Sequence, residues 1–179
     1  MKVQFGPGTL ELAQGNLVTQ NVDAIVNAAN SHLAVGGGVC GAIHRAAGPA
    51  VEEEIEQKYP DGCPTGNAVA TGGGELAARW IFHAVGPVWQ GGHAGEGTLL
   101  RSAHRRCLEL AVEHQCQSIA FPAISTGIYG FPIDLAAEHS LDEVRKFLVE
   151  TKAALRVRFV LLDAGSYAAF ARVLESMVE

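Results

Sequence analysis

The segment from Asn27 to Gly48 limits the fold of this chain more than any other part of it. It reads NAANSHLAVGGGVCGAIHRAAG, follows the apolar run Ala24–Val26, and turns into a helical pattern after Gly36–Gly38. Glycines leave backbone N–H groups uncovered and adopt positive φ, so consecutive amides can converge on one anion. The helix that follows directs the positive end of its dipole to the same point. The segment therefore predicts a strand, a phosphate-binding loop and a helix.

A second segment repeats this order further along the chain. The apolar run Ser118–Pro122 is followed by Ala123–Phe131, which reads AISTGIYGF, and then by Pro132. Proline is tolerated at a helix start, so we expect a helix to begin there. Both loops would lie at the C-terminal edge of a parallel sheet. They are predicted to hold a diphosphate between them, with Ile128 and Tyr129 covering a sugar or a base.

The charge of the chain restricts the kind of anion that it binds. The formal net charge is −6, and neither glycine loop contains Lys or Arg, the nearest being Arg45 in the following helix. Proteins that bind nucleic acids usually carry a basic patch, so a nucleic acid is not the expected partner. A phosphate would be held chiefly by backbone dipoles. This favours a small, enclosed ligand over a long polyanion.

Apolar strand patterns alternate with helical patterns along the whole chain. Residues 1–179 are therefore predicted to form a single α/β domain, with three layers, α/β/α, around a mixed, mostly parallel central sheet. The predicted strands are Val3–Phe5, Leu10–Gln14, Ala24–Asn27, Asn67–Thr71, Trp80–Val85, Ser118–Pro122 and Val157–Leu162. The predicted helices are Gly38–Ala47, Ala50–Tyr59, Gly97–His114, Pro132–Thr151 and Ser166–Val178.

The sequence also bears on compartment and cofactors. No run reaches the ~18 apolar residues that a membrane span requires, and Met1–Gln4 lacks a signal-peptide profile. We expect a cytoplasmic monomer with no membrane partner. The four cysteines, Cys40, Cys63, Cys107 and Cys116, show neither a CxxC pair nor zinc spacing. They are expected to be free thiols, and no metal site is expected.

Several strings in the chain resemble the macrodomain family, and its MacroD-like branch in particular. They are DAIVNAAN, GGGV followed by GAIHRAAG, TGxA, HAVGP and IAFPAISTGIYG, and they span the chain from about Gly15 to its C-terminus. The resemblance implies a macrodomain that binds ADP-ribose. In this branch it implies removal of mono-ADP-ribose from acidic side chains of proteins, or deacetylation of O-acetyl-ADP-ribose. It implies ADP-ribose as ligand or substrate and no cofactor.

The resemblance also assigns roles to residues of this chain. Asn30, the last residue of NAAN, would hydrogen-bond the distal ribose, since its amide can donate and accept at once. The other implied ligand-binding residues are Gly37, Gly38 and Val39 at the diphosphate and distal ribose, Ser125, Thr126, Gly127, Ile128 and Tyr129 in the second phosphate loop, and Asn16, Leu17 and Leu162 at the adenine end, with Val26 nearby.

Two positions depart from the family pattern. Cys40 stands where MacroD-like hydrolases usually have an aspartate that is credited with orienting or activating the attacking water. Cys40 is interpreted either as a small filler or as a general-base thiolate; a helix N-terminus would favour the thiolate, and a neighbouring diphosphate would oppose it. Asn16 stands where an aspartate commonly accepts a hydrogen bond from adenine. An amide oxygen accepts without that charge-assisted strength, so weaker adenine selectivity is expected.

The sequence leaves two classes of function open. A hydrolase would use Asn30, and in one interpretation Cys40, as catalytic residues, whereas a non-catalytic reader of ADP-ribose would only bind. A Rossmann dehydrogenase is not expected, because the GxGxxG pattern that starts at Gly36 does not directly follow a strand. Asn27 is interpreted as a brace at the strand end or as a ligand contact, and His83 as a packed structural residue. His44 is interpreted as a packed helix residue, with a catalytic role as the alternative because histidine titrates near neutral pH.

Overall fold

The strands and helices alternate as the apolar periodicity predicts, and the computed structural model describes all 179 residues. The strands are β1 (Lys2–Phe5), β2 (Gly8–Gln14), β3 (Ala24–Ala29), β4 (Ala68–Gly72), β5 (Trp80–Val85), β6 (Ser118–Phe121) and β7 (Arg156–Leu161). The helices are α1 (Gly38–Ala47), α2 (Pro49–Lys58), α3 (Glu96–Glu113), α4 (Ile133–Thr151) and α5 (Ala164–Val178), and a 3-10 turn spans Leu17–Thr19.

All seven strands form one sheet, in the order β1-β2-β7-β6-β3-β5-β4. The pairings β2–β7, β7–β6, β6–β3 and β3–β5 are parallel, and only the outer strands β1 and β4 pair antiparallel with their neighbours. The predicted mixed, mostly parallel sheet is therefore confirmed. The C-terminal ends of β3, β6 and β7 meet at one edge, which brings the segments that follow these strands together.

The sheet lies between two hydrophobic cores, because neighbouring residues of its central strands point to opposite faces. In β3, Val26 packs into the core shared with α3, α4 and α5, whereas Ile25 packs into the core shared with α1 and α2. In β7, Phe159 and Val160 divide in the same way. The predicted α/β/α layering is confirmed, and near-continuous apolar strands are explained by burial on both faces.

Several element ends differ from the sequence-based prediction by one or two residues. Helix α5 begins at Ala164 rather than Ser166, because the Asp163 side chain accepts a hydrogen bond from the Ser166 amide at 2.7 Å and caps the first turn. Helix α3 begins at Glu96 rather than Gly97. Strand β3 continues to Ala29, two residues further than predicted.

None of the helices is both long and apolar enough to cross a membrane. All four cysteines are free, as predicted.

Candidate functional site

A cleft of about 510 Å³ opens at the sheet edge where β3, β6 and β7 end. Both glycine-rich loops contribute to it, together with the start of α5. Its lining consists of Ala28–Asn30, Gly36–Cys40, Gly86, Pro122–Tyr129, Val160, Leu162, Asp163 and Ser166. The structure thus brings the two predicted phosphate loops together in the lining of one cavity.

The first loop presents unused backbone donors. The Gly41 amide makes the first hydrogen bond of α1, to Gly37 O at 3.2 Å. The amides of Gly38, Val39 and Cys40 precede it in the first turn and have no partner within the chain. The loop folds back onto the helix so closely that a Cβ on Gly41 would lie 2.7 Å from Gly36 O. Glycine at this position is therefore required for the loop to take this path.

The second loop offers a comparable set of donors. Its internal backbone hydrogen bonds run from Phe131 N to Ser125 O at 2.9 Å, from Gly130 N to Gly127 O at 3.0 Å and from Thr126 N to Ala123 O at 3.4 Å. The amides that stay without a partner within the chain are those of Ser125, Gly127, Ile128 and Tyr129. The Ser125 backbone has a φ of +69°, and its Oγ is buried without a hydrogen bond.

No lysine or arginine lines the cleft, and Asp163 is its only carboxylate. The hydrogen bonds from Ser166, backbone and side chain, lower the pKa of Asp163, so this carboxylate is ionised at neutral pH. Positive potential in the cleft therefore comes from free amides and from the N-termini of α1 and α5. An anion that enters would be bound by the backbone, as the charge distribution along the sequence predicts.

Asn30 lines the cleft, but its amide is already engaged by the loop that it begins. Its Oδ1 accepts from His32 N and from Ala34 N, both at 3.1 Å, and its Nδ2 donates to Ala34 O at 3.0 Å. Both lone pairs of Oδ1 are used within the loop, so in this conformation the Asn30 amide would meet a ligand through its second Nδ2 N–H. One N–H of Nδ2 remains free.

Cys40 lies at the end of a hydrogen-bonded chain that runs across the sheet. Asn27 Nδ2 donates to Cys40 Sγ at 3.6 Å and contacts His83 Nδ1 at 3.1 Å. His83 Nε2 lies 2.9 Å from Thr71 Oγ1, which donates to Gly72 O. Asn27 is completely buried and does not line the cleft, so it is a brace rather than a ligand contact.

The two histidines near Cys40 have opposite protonation tendencies. Burial, together with the charge of His44, lowers the pKa of His83 to about 3, so His83 is neutral. The neighbouring Cys40 thiol raises the pKa of His44 against the effect of its burial. Burial would raise the pKa of the Cys40 thiol, but the neighbouring His44 imidazole, the Gly36 amide and the Asn27 amide outweigh it and lower that pKa. The surroundings of Cys40 therefore favour its thiolate more than burial alone would.

The structure does not bring Asn16 and Leu17 into this cleft. Leu17 is 5% exposed and packs in the core beneath α1. Asn16 caps the 3-10 turn, where its Oδ1 accepts from Val18 N at 3.1 Å. Leu162 does line the cleft and is 76% exposed. Of the residues expected at the adenine end, only Leu162 is found at the cavity.

Sequence reasoning missed some residues of the cleft. Asp163 and Ser166 reach it because α5 begins at its edge. An aspartate directly before an apolar helical pattern is a helix N-cap signal that would have located this helix start. Gly86 lines the cleft from the end of β5, and no local signal in HAVGP reveals that contact.

Comparison with known proteins matches residues 26–140 to the Macro domain. The chain is 47% identical over 167 residues to a Salmonella typhimurium protein named O-acetyl-ADP-ribose deacetylase, covering 92% of this chain and 93% of the relative. It is similar in structure to the Oceanobacillus iheyensis macrodomain with ADP, at a TM-score of 0.94 and 37% identity, covering 99% of this chain and 96% of the other. A Trypanosoma brucei macrodomain in complex with ADP-ribose gives a TM-score of 0.86 at 38% identity, covering 92% and 68%.

Proposed function

The chain belongs to the Macro domain family, and on that premise we propose that it binds ADP-ribose and hydrolyses its conjugates. The substrates would be O-acetyl-ADP-ribose and proteins that carry mono-ADP-ribose on acidic side chains. The deacetylase name of the Salmonella relative and the ADP-ribose in the Trypanosoma brucei structure support this proposal.

The observation that carries the proposal is that two loops with free amides line one cleft. The first turn of α1 contributes one set of free amides, and Ser125, Gly127, Ile128 and Tyr129 contribute the other. A pyrophosphate needs several donors from two directions, and neutral amides supply them without a counter-charge. The base would then lie against the exposed Leu162 beside Asp163, at the end of the cleft formed by β7 and α5.

The distal ribose would lie near Asn30 and Cys40, which line the cleft beside the end of β3, two strands away from β7. The free N–H of Asn30 would orient the sugar, and the amides of the first turn of α1 would stabilise negative charge that develops during attack by water. Donors that are already fixed by the fold need no rearrangement when the charge appears. Holding substrate and water together contributes further to the rate.

Cys40 favours a second candidate function, that of a non-catalytic ADP-ribose reader. The family's usual aspartate is absent there, and a thiolate or thiol replaces it. The reader uses the same amides and the same cleft, so it differs from the hydrolase only in the fate of the bound conjugate.

One set of measurements tests the proposal and separates the two candidates. Calorimetric titration with ADP-ribose, with AMP and NAD alongside, should show the tightest binding for ADP-ribose. Incubation with O-acetyl-ADP-ribose, and with protein that is mono-ADP-ribosylated on glutamate, should release acetate and ADP-ribose respectively. Binding without release would establish the reader, and absence of ADP-ribose binding would refute both candidates.

The variant Cys40→Asp gives this test its internal control. It restores the acidic group of the family pattern, so turnover should rise while affinity for ADP-ribose changes little. An unchanged rate would show that an acidic group at this position does not limit hydrolysis in this chain.

A further inference from the structure

Cys40 differs from the other cysteines of the chain in its surroundings. It lies in the first turn of α1, it lines the cleft, and its Sγ receives a hydrogen bond from Asn27 Nδ2 at 3.6 Å. His44 follows it by one helical turn and is 4% exposed, with its Nδ1 buried and without a partner. Residues four apart on a helix are neighbours on its surface, and a thiol beside an imidazole at a helix N-terminus is a reactive arrangement.

The remaining cysteines provide comparison within the same chain. Cys63 and Cys107 are buried in apolar surroundings, and burial raises the pKa of both thiols. Burial raises the pKa of the half-buried Cys116 to about 11. The cleft is not lined by Cys63, Cys107 or Cys116. Only Cys40 combines a position at the cavity with donors directed at its sulfur.

The charged and titratable groups that face this pair come from three elements. His44 belongs to α1, and Glu52 of α2 places its Oε1 3.9 Å from His44 Nδ1, which favours the protonated imidazole. His83 of β5 has its ring centre 6.1 Å from that of His44 and is neutral. The protonated Cys40 thiol donates a hydrogen bond to Ala34 O at 3.8 Å. This bond is lost on ionisation, because a thiolate has no proton to donate. Asn27, His44 and the helix terminus remain to stabilise the thiolate.

We propose that Cys40 is a covalent-modification site, a thiolate that reacts with small uncharged electrophiles that reach it through the cleft. The natural electrophile that fits best is a peroxide, because it is small and neutral and the sulfur is only 6% exposed. This inference does not depend on the hydrolase activity. Modification adds atoms to the wall of the cleft and so blocks the binding of a ligand there.

The reaction is a simple displacement at oxygen. The Cys40 thiolate attacks one oxygen of hydrogen peroxide, an S–O bond forms, the O–O bond breaks, and hydroxide leaves. Sulfur is oxidised to a sulfenic acid while the peroxide is reduced. A thiol reductant reverses this step, whereas further oxidation is not reversed in this way.

Labelling of the full chain with iodoacetamide, followed by peptide mass spectrometry, tests the thiolate directly. In that reaction an S–C bond forms and iodide leaves. Cys40 should label fastest of the four cysteines at pH 7, with an apparent pKa below the ordinary thiol value of about 8.5. Labelling that follows the ordinary thiol profile, or that is no faster than for Cys116, would overturn the proposal.

Two variants test whether Cys40 reacts because His44 stabilises its thiolate rather than because it is simply exposed. His44→Gln should move the apparent pKa of Cys40 labelling upward and slow labelling at pH 7 by up to about 10-fold, since one pKa unit changes the thiolate fraction tenfold. Should this core variant fail to fold, Glu52→Gln should give a smaller shift in the same direction. Glu53→Gln on the same exposed part of α2 is its matched control. The role of the pair formed by Cys40 and His44 would be refuted by one combination of results. In it, Glu52→Gln and Glu53→Gln give the same apparent pKa of Cys40 labelling, and His44→Gln either leaves that pKa unchanged or does not fold.

A last arm tests the position of the sulfur in the cleft. ADP-ribose at ten times its dissociation constant should slow the labelling of Cys40 about 10-fold, because only the free protein reacts. Peroxide should abolish ADP-ribose binding, dithiothreitol should restore it, and the binding of Cys40→Ser should not respond to peroxide. If ADP-ribose binds without slowing the labelling, the proposal is wrong. If ADP-ribose does not bind but Cys40 labels rapidly, the proposed function fails and the modification site stands.

Discussion

Gly86 and Ser125 are in such close contact that a Cβ on Gly86 would lie 2.2 Å from Ser125 Oγ. Gly86 directly follows β5, and Ser125 of the second glycine loop is in the left-handed conformation, with a φ of +69°. The same Cβ would lie 2.5 Å from Ile124 Cγ2. The path of this loop, and with it the position of its free amides, therefore depends on the absence of a side chain on a neighbouring segment.

Gly86→Ala should displace the second loop and weaken ADP-ribose binding about 10-fold or more. Overpacking of this kind also lowers the free energy of unfolding by about 1–3 kcal/mol. Calorimetry and urea unfolding measure the two effects. Gly72→Ala is the matched control, because its Cβ would meet only Glu54 Oε1, at an ordinary 3.5 Å. Unchanged affinity in Gly86→Ala would show that the second loop does not hold the ligand.

Asn30→Ala should loosen the loop that follows β3, because three hydrogen bonds between Asn30 and the segment from His32 to Ala34 are lost. Each such bond contributes about 1 kcal/mol net. Amide hydrogen exchange of His32 and Ala34, followed by NMR, should accelerate. Asn30→Asp keeps both accepted bonds but loses the donation to Ala34 O, so exchange should accelerate less than in Asn30→Ala. Slow exchange in both variants would mean that Asn30 is not the brace of this loop.

ADP-ribose binding should depend only weakly on salt. No lysine or arginine lines the cleft and the chain carries a formal net charge of −6, so added salt screens repulsion rather than attraction. Between about 20 and 300 mM KCl the dissociation constant should change by less than about 3-fold, with any change toward tighter binding. Titrations at several salt concentrations measure this. A steep loss of affinity would reveal a cationic side chain that reaches the diphosphate.

Acid should remove a stabilising contribution of Glu96. Its carboxylate accepts hydrogen bonds from the amides of Gln90, Gly92 and Ala94, and these bonds, the one from Gln90 first, lower its pKa to about 2. Because the folded-state pKa lies below the unfolded value of about 4.3, the contribution is complete above that pH and declines as the pH falls toward 2.

Urea unfolding of the wild type and of Glu96→Gln at several pH values measures this contribution. The wild type should be more stable by a constant amount from pH 7 to 5, and the difference should shrink below about pH 4. Glu175→Gln, on the exposed side of α5, is the control and should show no such pH dependence. A difference that persists at pH 2 would contradict the role assigned to the Glu96 carboxylate.

The sequence by itself determined the elements and the two anion-binding loops. Apolar periodicity locates the strands and helices, because each element must bury one or both faces. The chemistry of the loops is equally local. Glycine before a helix start leaves amides free, and without Lys or Arg in the loops the backbone amides supply the positive potential. Cys40 at the start of α1 was recognisable for the same reason, as the third residue of a helix whose start is marked by glycines.

Only the tertiary structure decided what surrounds these residues. The partners of Cys40 include Asn27, 13 residues away, and Asn27 contacts His83, a further 56 residues along the chain. Asn16 and Leu17 are absent from the cleft while Asp163 and Ser166 line it. Parallel strands are joined by long crossovers, so the segments that meet at a sheet edge are distant in sequence. Local sequence patterns do not show which side chains will face each other at this edge of the sheet.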